Sequence, residues 1–314
     1  MLNPRRSSSS PRPAGESLPG RFEVRAVGGG RREEAHAIVA SDPVVHIHVG
    51  AFLWTLGGLL SPRPRLVGLF GGGELVGLIQ HCRGLSWAVR PERRTDPRLF
   101  DALAAFTARA TRREEVVIGP EAGIESLLPR LGAHGLWARE IRRQQMMAPP
   151  RVLRPRRLPT LGRFDLRPAT LDDLPWLLET HGAMCLEDLG VDQVARHPEG
   201  YSRYFRELVR EGRSLVGEGS DGPVFKAEIP LESRHARLVE GVYTLPAYRG
   251  RGFASLAMRE ILERSSNLGK RACLYVHRRN EGAIRLYRSL GFRTEREWST
   301  MVVARGPGRR AVEI

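Results

Sequence analysis

The stretch EGVYTLPAYRGRGFA at residues 240–254 combines a β-prone segment, a glycine-bearing turn and the start of a helical pattern. A helix that starts just after a strand leaves the N–H groups of its first turn without helical partners, and its dipole adds partial positive charge there. Gly250 and Gly252 carry no Cβ, so the main chain at this turn can approach a bound anion closely. The stretch therefore predicts a phosphate site at a helix N-terminus.

Other phosphate-binding loops space their glycines differently. A dinucleotide fingerprint needs G-x-G-x-x-G early in a strand–helix–strand unit, with an acidic residue about 20 positions later. A P-loop needs G-x-x-x-x-G-K-[ST], and the turn at Gly250 and Gly252 has neither a lysine nor a hydroxyl at the helix start. Taken alone, the turn is also compatible with a purely structural connection between a strand and a helix.

The composition indicates a two-domain protein with reduced cysteines. The chain has 314 residues, 41% of them hydrophobic, which is enough for two buried cores. Cys82, Cys185 and Cys273 are far apart and odd in number, which favours free thiols in a cytoplasmic protein. The N-terminus is polar, and no segment reaches about 18 consecutive apolar residues. We therefore expect neither a secretory signal nor a membrane span.

The net charge of +15 at pH 7 is typical of proteins that bind nucleic acid. Two features weaken that interpretation. Nearly all of the positive charge is arginine, with Lys226 and Lys270 as the only lysines. Much of the excess lies in residues 1–21, 151–163 and 305–310, outside the predicted cores. We therefore do not expect nucleic acid to be the main ligand.

Composition also divides the chain. Residues 1–21 are rich in Ser, Pro, Gly and Arg and are predicted to be a disordered tail. Residues 148–163 contain four prolines, five arginines and no acidic residue, which is typical of an extended linker. The predicted linker separates a first domain at residues 22–147 from a second at residues 164–305. Residues 306–314 form a polar tail.

Local patterns predict the elements of each half. The β-branched run at residues 44–49 is predicted to be extended, and residues 52–60 to be helical. In the second half, residues 174–181 are predicted to form a helix that precedes a variable loop at residues 184–197.

The two halves repeat one pattern at a shift of 159 residues. Leu290 and Gly291 fall over Leu131 and Gly132, and the helix after Arg249 falls over a helix in the first half. Two copies of one α/β unit are the simpler interpretation. Chance similarity of two unrelated α/β domains is the alternative.

The copies differ at the phosphate turn. The first half has RPERRT at residues 90–95, which lacks glycine and places a carboxylate, Glu92, where an anion would have to bind. Asn280 and Tyr287 of the second half are also replaced, by Glu121 and Leu128. We expect that the first copy has lost the phosphate site and is structural, regulatory or substrate-shaping.

Two motifs in the second half resemble the GNAT superfamily of N-acetyltransferases. Arg249-x-x-Gly252-x-Ala254 after a strand resembles motif A of that family, and Asn280-x-x-Ala283-x-x-x-Tyr287-x-x-x-Gly291-Phe292 resembles its next motif. The resemblance is clear over residues 164–303 and faint over residues 22–147. It implies an α/β (mixed α+β) fold of two tandem GNAT-like domains, each with a mixed, mostly antiparallel sheet flanked by helices.

The resemblance also implies a site for acetyl-CoA or another acyl-CoA. The turn amides would hold the pyrophosphate, with charge from Arg249 and Arg251, and the end of the strand would pair with the pantetheine arm where the next strand splays away. Asn280 would hydrogen-bond the pantetheine. The full implied cofactor-binding set is Val242, Tyr243, Thr244, Arg249, Gly250, Arg251, Gly252, Phe253, Ala254, Asn280, Ala283 and Tyr287.

Tyr287 and Glu240 are the catalytic candidates. In the family pattern Tyr287 would protonate the departing thiolate, a step that suits a phenol of pKa about 10; the alternative is a core tyrosine. Glu240 is the candidate base, because strand parity puts it on one face with Val242 and Thr244; the alternative is a solvated carboxylate. A backbone N–H of residues 242–244 would meet the oxyanion.

The remaining polar residues give weaker signals. Glu187 and Asp188 are candidates for binding a cationic acceptor amine, or they cap a helix end. His46 and His48 share a strand face in the predicted pattern but lack a third ligand, so no metal is expected. Cys273 has no basic neighbour in the sequence, so no acyl-enzyme is expected.

The sequence therefore predicts an enzyme, a CoA-dependent N-acetyltransferase. It would move an acetyl group from acetyl-CoA to a primary amine of a small molecule or protein, by direct attack in a ternary complex. The alternative is an acyl-CoA-binding regulatory or scaffold protein without turnover, and a nucleic-acid-associated acetyltransferase ranks third. The acceptor, the acyl-chain preference and the oligomeric state are left open.

Overall fold

The computed structural model describes residues 22–55, 66–82, 84–152, 164–306 and 311–313. The predicted N-terminal tail and most of the predicted linker lie outside these ranges. The strands of the first half are β1 (Glu23–Ala26), β2 (Leu66–Gly71), β3 (Glu74–His81), β4 (Leu85–Val89), β5 (Glu114–Pro120) and β6 (Leu136–Ala148). Its helices are α1 (Arg32–Ala40), α2 (Ile47–Thr55), α3 (Pro97–Ala110) and α4 (Glu121–Leu131).

The second half repeats this order with one more helix near its start and one more short strand at its end. Its helices are α5 (Leu174–Leu189), α6 (Gln193–Arg196), α7 (Pro198–Arg210), α8 (Phe253–Asn267) and α9 (Glu281–Ser289). Its strands are β7 (Asp165–Pro168), β8 (Ser214–Gly219), β9 (Gly222–Glu232), β10 (Ala236–Thr244), β11 (Arg271–His277), β12 (Arg293–Arg305) and β13 (Val312–Glu313).

Within the described ranges the strands form a single sheet in the order β1-β2-β3-β4-β5-β12-β6-β11-β10-β9-β8-β7, with β13 beside β6. Three pairs are parallel, namely β4–β5, β10–β11 and β6–β13, and the other pairs are antiparallel. The predicted mixed, mostly antiparallel sheet flanked by helices is therefore confirmed.

The last long strand of each half is inserted beside strands of the other half. Strand β12 pairs with β5 from Trp298–Pro120 to Ala304–Glu114, and with β6 over its whole length. Strand β6 in turn pairs with β11, as at Leu274–Met147. The two halves are thus joined by an exchange of strands, which a comparison of their repeated patterns does not show.

Side chains from the first half also cover the sheet of the second. Val44, Val45 and Ile47 are buried against residues of β6, β10, β11 and β12, including Leu238 and Cys273. Gly50 of α2 lies so close to Ser233 that a Cβ there would contact its side chain. The face of the second half's sheet opposite α8 and α9 is therefore partly covered by the first half.

The prediction for residues 44–49 was wrong. Residues 43–46 form turns and α2 begins at Ile47, with the Gly50 N–H donating to the His46 carbonyl at 2.8 Å. Burial of this segment's apolar side chains between the halves outweighs the strand preference of its β-branched residues. The described end of the predicted helix 52–60 belongs to α2, and residues 56–60 lie outside the described ranges.

Helix α5 is longer than predicted. It continues through Glu187 and Asp188, which were expected to lie in a loop, and its last residue is Leu189. Gly190 caps the helix with a φ of +68°, a conformation that favours glycine. The C-terminal turn of α5 therefore lies beside the glycine turn of the second half.

Candidate active site

Strands β10 and β11 separate near the middle of the second half's sheet. They pair in parallel at only three positions, from Ala236–Arg271 to Leu238–Cys273. Beyond that point β10 stays with β9 as far as Thr244, and β11 stays with β6 as far as His277. A gap therefore opens between the two strands, as the pantetheine pairing requires.

The gap leads toward the N-terminus of α8. A short 3-10 turn at Pro246–Tyr248 follows β10, and Gly250 and Gly252 then adopt φ values of +73° and +98°. These left-handed conformations are costly for residues with a Cβ, so the local fold requires glycine at both positions. Gly252 is the N-cap of α8, and helix geometry leaves the N–H groups of Phe253 and Ala254 without acceptors within the helix. The turn can therefore offer amides and a helix dipole to an anion.

Arg249 is held by the end of α5. Its guanidinium donates to both carboxylate oxygens of Glu187, at 3.0 and 2.8 Å, and to the Thr244 carbonyl at 3.0 Å. The Tyr243 hydroxyl donates to the same carboxylate at 2.8 Å. Glu187, a candidate for acceptor binding, is therefore already bonded to Tyr243 and Arg249. The second turn arginine, Arg251, lies over the Tyr248 ring, 5.4 Å from its centroid.

A β-bulge in β10 decides which side chains share a face. Glu240 lies opposite Glu228 and Tyr243 opposite Lys226, so Gly241 and the residue after it share a single partner position on β9. Directly opposed residues point to the same face of a sheet. Glu240 therefore shares a face with Tyr243, and the parity argument that grouped it with Val242 and Thr244 was wrong. Val242 packs into the core beneath α8 and α9.

Glu240 is half-buried and has an unusual acidity. Burial and the nearby charge of Glu228 raise the pKa of Glu240 to about 7. A carboxyl group that titrates near neutrality is suited to taking a proton from a reacting group.

The second motif places Tyr287 in the core and Asn280 at a helix end. Tyr287 on α9 is buried and lies 5.5 Å from the Phe292 ring, centroid to centroid. Burial and the Asp188 carboxylate raise the pKa of its phenol. Asn280 is exposed and caps α9, its side-chain oxygen accepting from the Ala283 N–H at 3.0 Å.

Asp188 lies between several of these groups. Burial, and then the charge of Glu187, raise the pKa of Asp188, whereas His277 and Arg249 act in the opposite direction. In the last turn of α5, Glu187 thus binds Arg249 of the glycine turn, and Asp188 lies within electrostatic range of Tyr287.

Two charged residues that were not predicted from the sequence as site residues lie beneath the bulge of β10. Lys226 and Glu228 on β9 form an ion pair at 2.9 Å, and both side chains are almost fully buried, with 0% and 1% exposed. The available signal was compositional, because Lys226 is one of only two lysines in an arginine-rich chain and lies in an otherwise apolar strand.

In the first half, a tryptophan side chain packs beside a short pairing of two parallel strands. Within the described residues, strands β4 and β5 pair at one position, Leu85–Val117. The Trp87 ring packs against Gly119 and Gly123, where a Cβ on either glycine would overlap it. Asp96 caps α3 by accepting from the Arg98 N–H at 3.1 Å. The indole ring thus packs against the end of β5 and the start of α4, in the half that lacks the glycine turn.

The described residues contain neither a cluster of metal ligands nor a membrane-spanning helix. No cluster of three or more His, Cys, Asp or Glu side chains in these ranges is placed to hold a metal ion. None of the helices described above is long and apolar enough to cross a membrane.

Part of the chain matches the model of a known protein family. The model of the acetyltransferase (GNAT) family matches residues 181–292, which extend from within α5 to the end of the second motif. No curated protein matches the chain significantly.

Solved structures with a similar fold cover almost the whole chain. A GCN5-related N-acetyltransferase from Sphaerobacter thermophilus is 18% identical, with a TM-score of 0.57 over 95% of this chain and 99% of that one. A Drosophila protein is 14% identical, with a TM-score of 0.62 over 88% and 98%. A tandem GNAT protein from the clavulanic acid biosynthesis pathway is 13% identical, with a TM-score of 0.51 over 92% and 100%. Residues 181–292 are thus similar to the GNAT acetyltransferase family, and the overall fold of the chain is similar to that of a tandem GNAT protein.

Proposed function

We propose that the second half transfers an acetyl group from acetyl-CoA to a primary amine. The match of residues 181–292 to the acetyltransferase (GNAT) family model supports acyl transfer in general. The observation that carries the finer proposal is the gap between β10 and β11, which leads to a helix N-terminus capped by glycine. An extended thiol arm ending in a pyrophosphate has the shape and charge that such a gap and turn accept.

The residues around the gap fit the donor. The backbone of Val242, Tyr243 and Thr244 is an unpaired strand edge on the side of the gap, and a pantetheine arm can pair with it as an added strand. The glycine turn and the amides through Phe253 and Ala254 receive the pyrophosphate, with positive charge from Arg251. Arg249 acts mainly by fixing the turn to α5, because its guanidinium is occupied by Glu187.

The chemistry follows from the two titratable groups. Glu240 removes a proton from the acceptor ammonium, and the neutral amine then attacks the thioester carbonyl. The C–S bond breaks as the tetrahedral intermediate collapses, and Tyr287 gives its proton to the departing thiolate. The second proton of the attacking nitrogen passes to the Tyr287 phenolate and restores the phenol, while Glu240 releases the first proton to solvent. Burial raises the pKa of Tyr287, but the thiolate forms in the same water-poor gap and is destabilised similarly, so proton transfer between them stays favourable.

The acceptor would enter on the face that carries Glu240, between α5 and β10. Asp188 is the carboxylate there that is not paired with Arg249, and it lies within electrostatic range of Tyr287. We propose that Asp188, more than Glu187, attracts the cationic amine.

Three measurements test this proposal. Acetyl-CoA should raise the melting temperature, and Gly252→Asp should abolish that rise by placing a carboxylate at the helix N-terminus. Release of CoA over a panel of amines should identify turnover. Tyr287→Phe should lower kcat while leaving the thermal shift with acetyl-CoA nearly unchanged.

Each outcome has a distinct meaning. A thermal shift that Gly252→Asp leaves intact would refute the donor site. Stabilisation by acetyl-CoA without CoA release over the whole panel would favour the regulatory or scaffold alternative. An unchanged kcat in Tyr287→Phe would remove the general-acid role.

A further inference from the structure

Lys226 is enclosed beneath the bulge of β10. Its ammonium donates to Glu228 Oε1 at 2.9 Å and Oε2 at 3.2 Å, and to the Gly241 carbonyl at 2.9 Å. His181 Nδ1 lies 3.4 Å away, and the Phe205 ring centroid 5.7 Å away. Groups from β9, β10, α5 and α7 therefore surround a single buried ammonium.

Gly241 is shaped to meet this ion pair. Its φ of +60° is a left-handed conformation, and a Cβ at this position would overlap the Glu228 carboxylate and lie 3.1 Å from Lys226 Nζ. The bulge and the ion pair therefore fit each other, because a side chain at position 241 would displace the pair.

The carbonyl held by Lys226 determines where the next N–H points. In a trans peptide the C=O of one residue and the N–H of the next lie on opposite sides of the bond. No described peptide bond is cis. Because the Gly241 carbonyl points at the Lys226 ammonium, the Val242 N–H points away from that ammonium.

We propose that Lys226 is a positioning residue that, through the Gly241 carbonyl, directs the Val242 N–H at the acyl carbonyl of the donor. The inference rests on the proposed function. As the amine attacks, the carbonyl oxygen gains negative charge, and an N–H held in place by a buried ammonium meets that charge without having to reorient. Glu228 neutralises the ammonium, so the bulge is fixed without an unpaired buried charge.

Two double variants separate the hydrogen bond from the charge. Lys226→Met with Glu228→Met removes the pair and every donor, and replacing a buried ion pair by apolar residues often leaves stability unchanged. Lys226→Gln with Glu228→Gln removes the same charges but keeps an amide donor that can reach the Gly241 carbonyl. Lys270→Met is the matched control, because the other lysine pairs with Glu232 and lies over Trp54.

The measurements are kcat, KM for acetyl-CoA, and the amide resonance of Val242. The Met/Met variant should lose roughly 100-fold in kcat, the usual effect of one oxyanion donor, with KM changed little. The Gln/Gln variant should recover most of that loss, and Lys270→Met should match the wild type. Adding acetyl-CoA should shift the Val242 amide resonance of the wild type.

Equal kcat values in the Met/Met and Gln/Gln variants would overturn the proposal. So would a Val242 resonance that acetyl-CoA leaves unmoved while other turn amides shift, a result that does not require the variants to fold. If the wild type showed no turnover with any amine and yet the Val242 amide moved, the proposed function would fail and the positioning of the N–H would stand.

Discussion

Replacing Glu240 with glutamine should make the folded protein more stable at pH 8 and change its stability little at pH 4. Burial and the charge of Glu228 raise the pKa of Glu240 from its ordinary 4.5 to about 7. Between these values the unfolded chain loses the Glu240 proton and the folded chain keeps it. Stability therefore falls as pH rises through this window, since the folded state binds more protons than the unfolded state.

The size of the effect follows from the same two pKa values. The gap between 4.5 and about 7 corresponds to about 3 kcal/mol once the pH is well above 7. Glu240 is half-buried, so solvent reduces this figure and it serves as an upper limit. Glutamine has nearly the same shape and no charge, and it removes the penalty without opening a cavity. At pH 4 both states of the wild type are protonated at this position, so the benefit should vanish.

Urea unfolding at several pH values measures this difference directly. The ionisable groups that act on Glu240 or respond to its charge must be intact in both proteins, namely Glu228 on β9 and Cys273 and Tyr275 on β11. Tyr275 matters because its hydroxyl is hydrogen-bonded to His48 Nε2 at 2.8 Å, and Glu240 contributes to the raised pKa of its phenol.

Asp173→Asn provides a control of opposite sign. The bidentate bond from Arg167 holds the pKa of Asp173 below its ordinary 3.8. This carboxylate therefore contributes stability that is present above pH 4 and is lost as pH falls through its folded pKa. Asp173→Asn should destabilise the protein at pH 8, and its effect should shrink in acid. A Glu240→Gln variant that is no more stable than the wild type at pH 8, while Asp173→Asn behaves as described, would refute the raised pKa of Glu240.

Three further predictions concern the glycine turn, Trp87 of the first half, and the strands exchanged between the halves. Gly250→Ala should weaken acetyl-CoA binding and lower stability by about 1 kcal/mol, because φ is +73° there; calorimetry and unfolding curves would show both. Trp87→Ala should cost about 3–5 kcal/mol in urea unfolding yet leave the affinity for acetyl-CoA unchanged; a lost affinity would mean that the first half takes part in donor binding. Residues 164–314 expressed alone should aggregate, because β12 would lose both of its partner strands, β5 and β6. Co-expression with residues 1–152 should restore solubility. A fragment that is soluble and monomeric in size-exclusion chromatography would contradict the exchange of strands.

Local patterns were reliable where the physical cause is local. The helix over residues 174–181 and the turn at Gly250 and Gly252 follow from side-chain periodicity and from the absence of a Cβ, both of which the sequence displays. Residues 44–49 failed for the opposite reason, because the contacts that make Ile47 helical come from strands nearly 200 positions away.

The face of Glu240 was missed for a related reason. Alternation along a strand predicts faces correctly only when the strand has no bulge, and the sequence contains no separate signal for one beyond Gly241 itself. Lys226 and Glu228 were visible as residues but not as a pair, since nothing in their order shows that the Gly241 carbonyl lies within 2.9 Å.

The sequence by itself determined the resemblance to GNAT acetyltransferases, the glycine turn of the second half and its absence from the first, because these depend on short motifs whose chemistry is carried by neighbouring residues. The tertiary structure alone decided the exchange of β6 and β12, the packing of Trp87 against Gly119 and Gly123, and the ion pair beneath the bulge. These features arise from contacts between residues far apart in the chain, and their energies depend on burial and register that only the folded chain establishes.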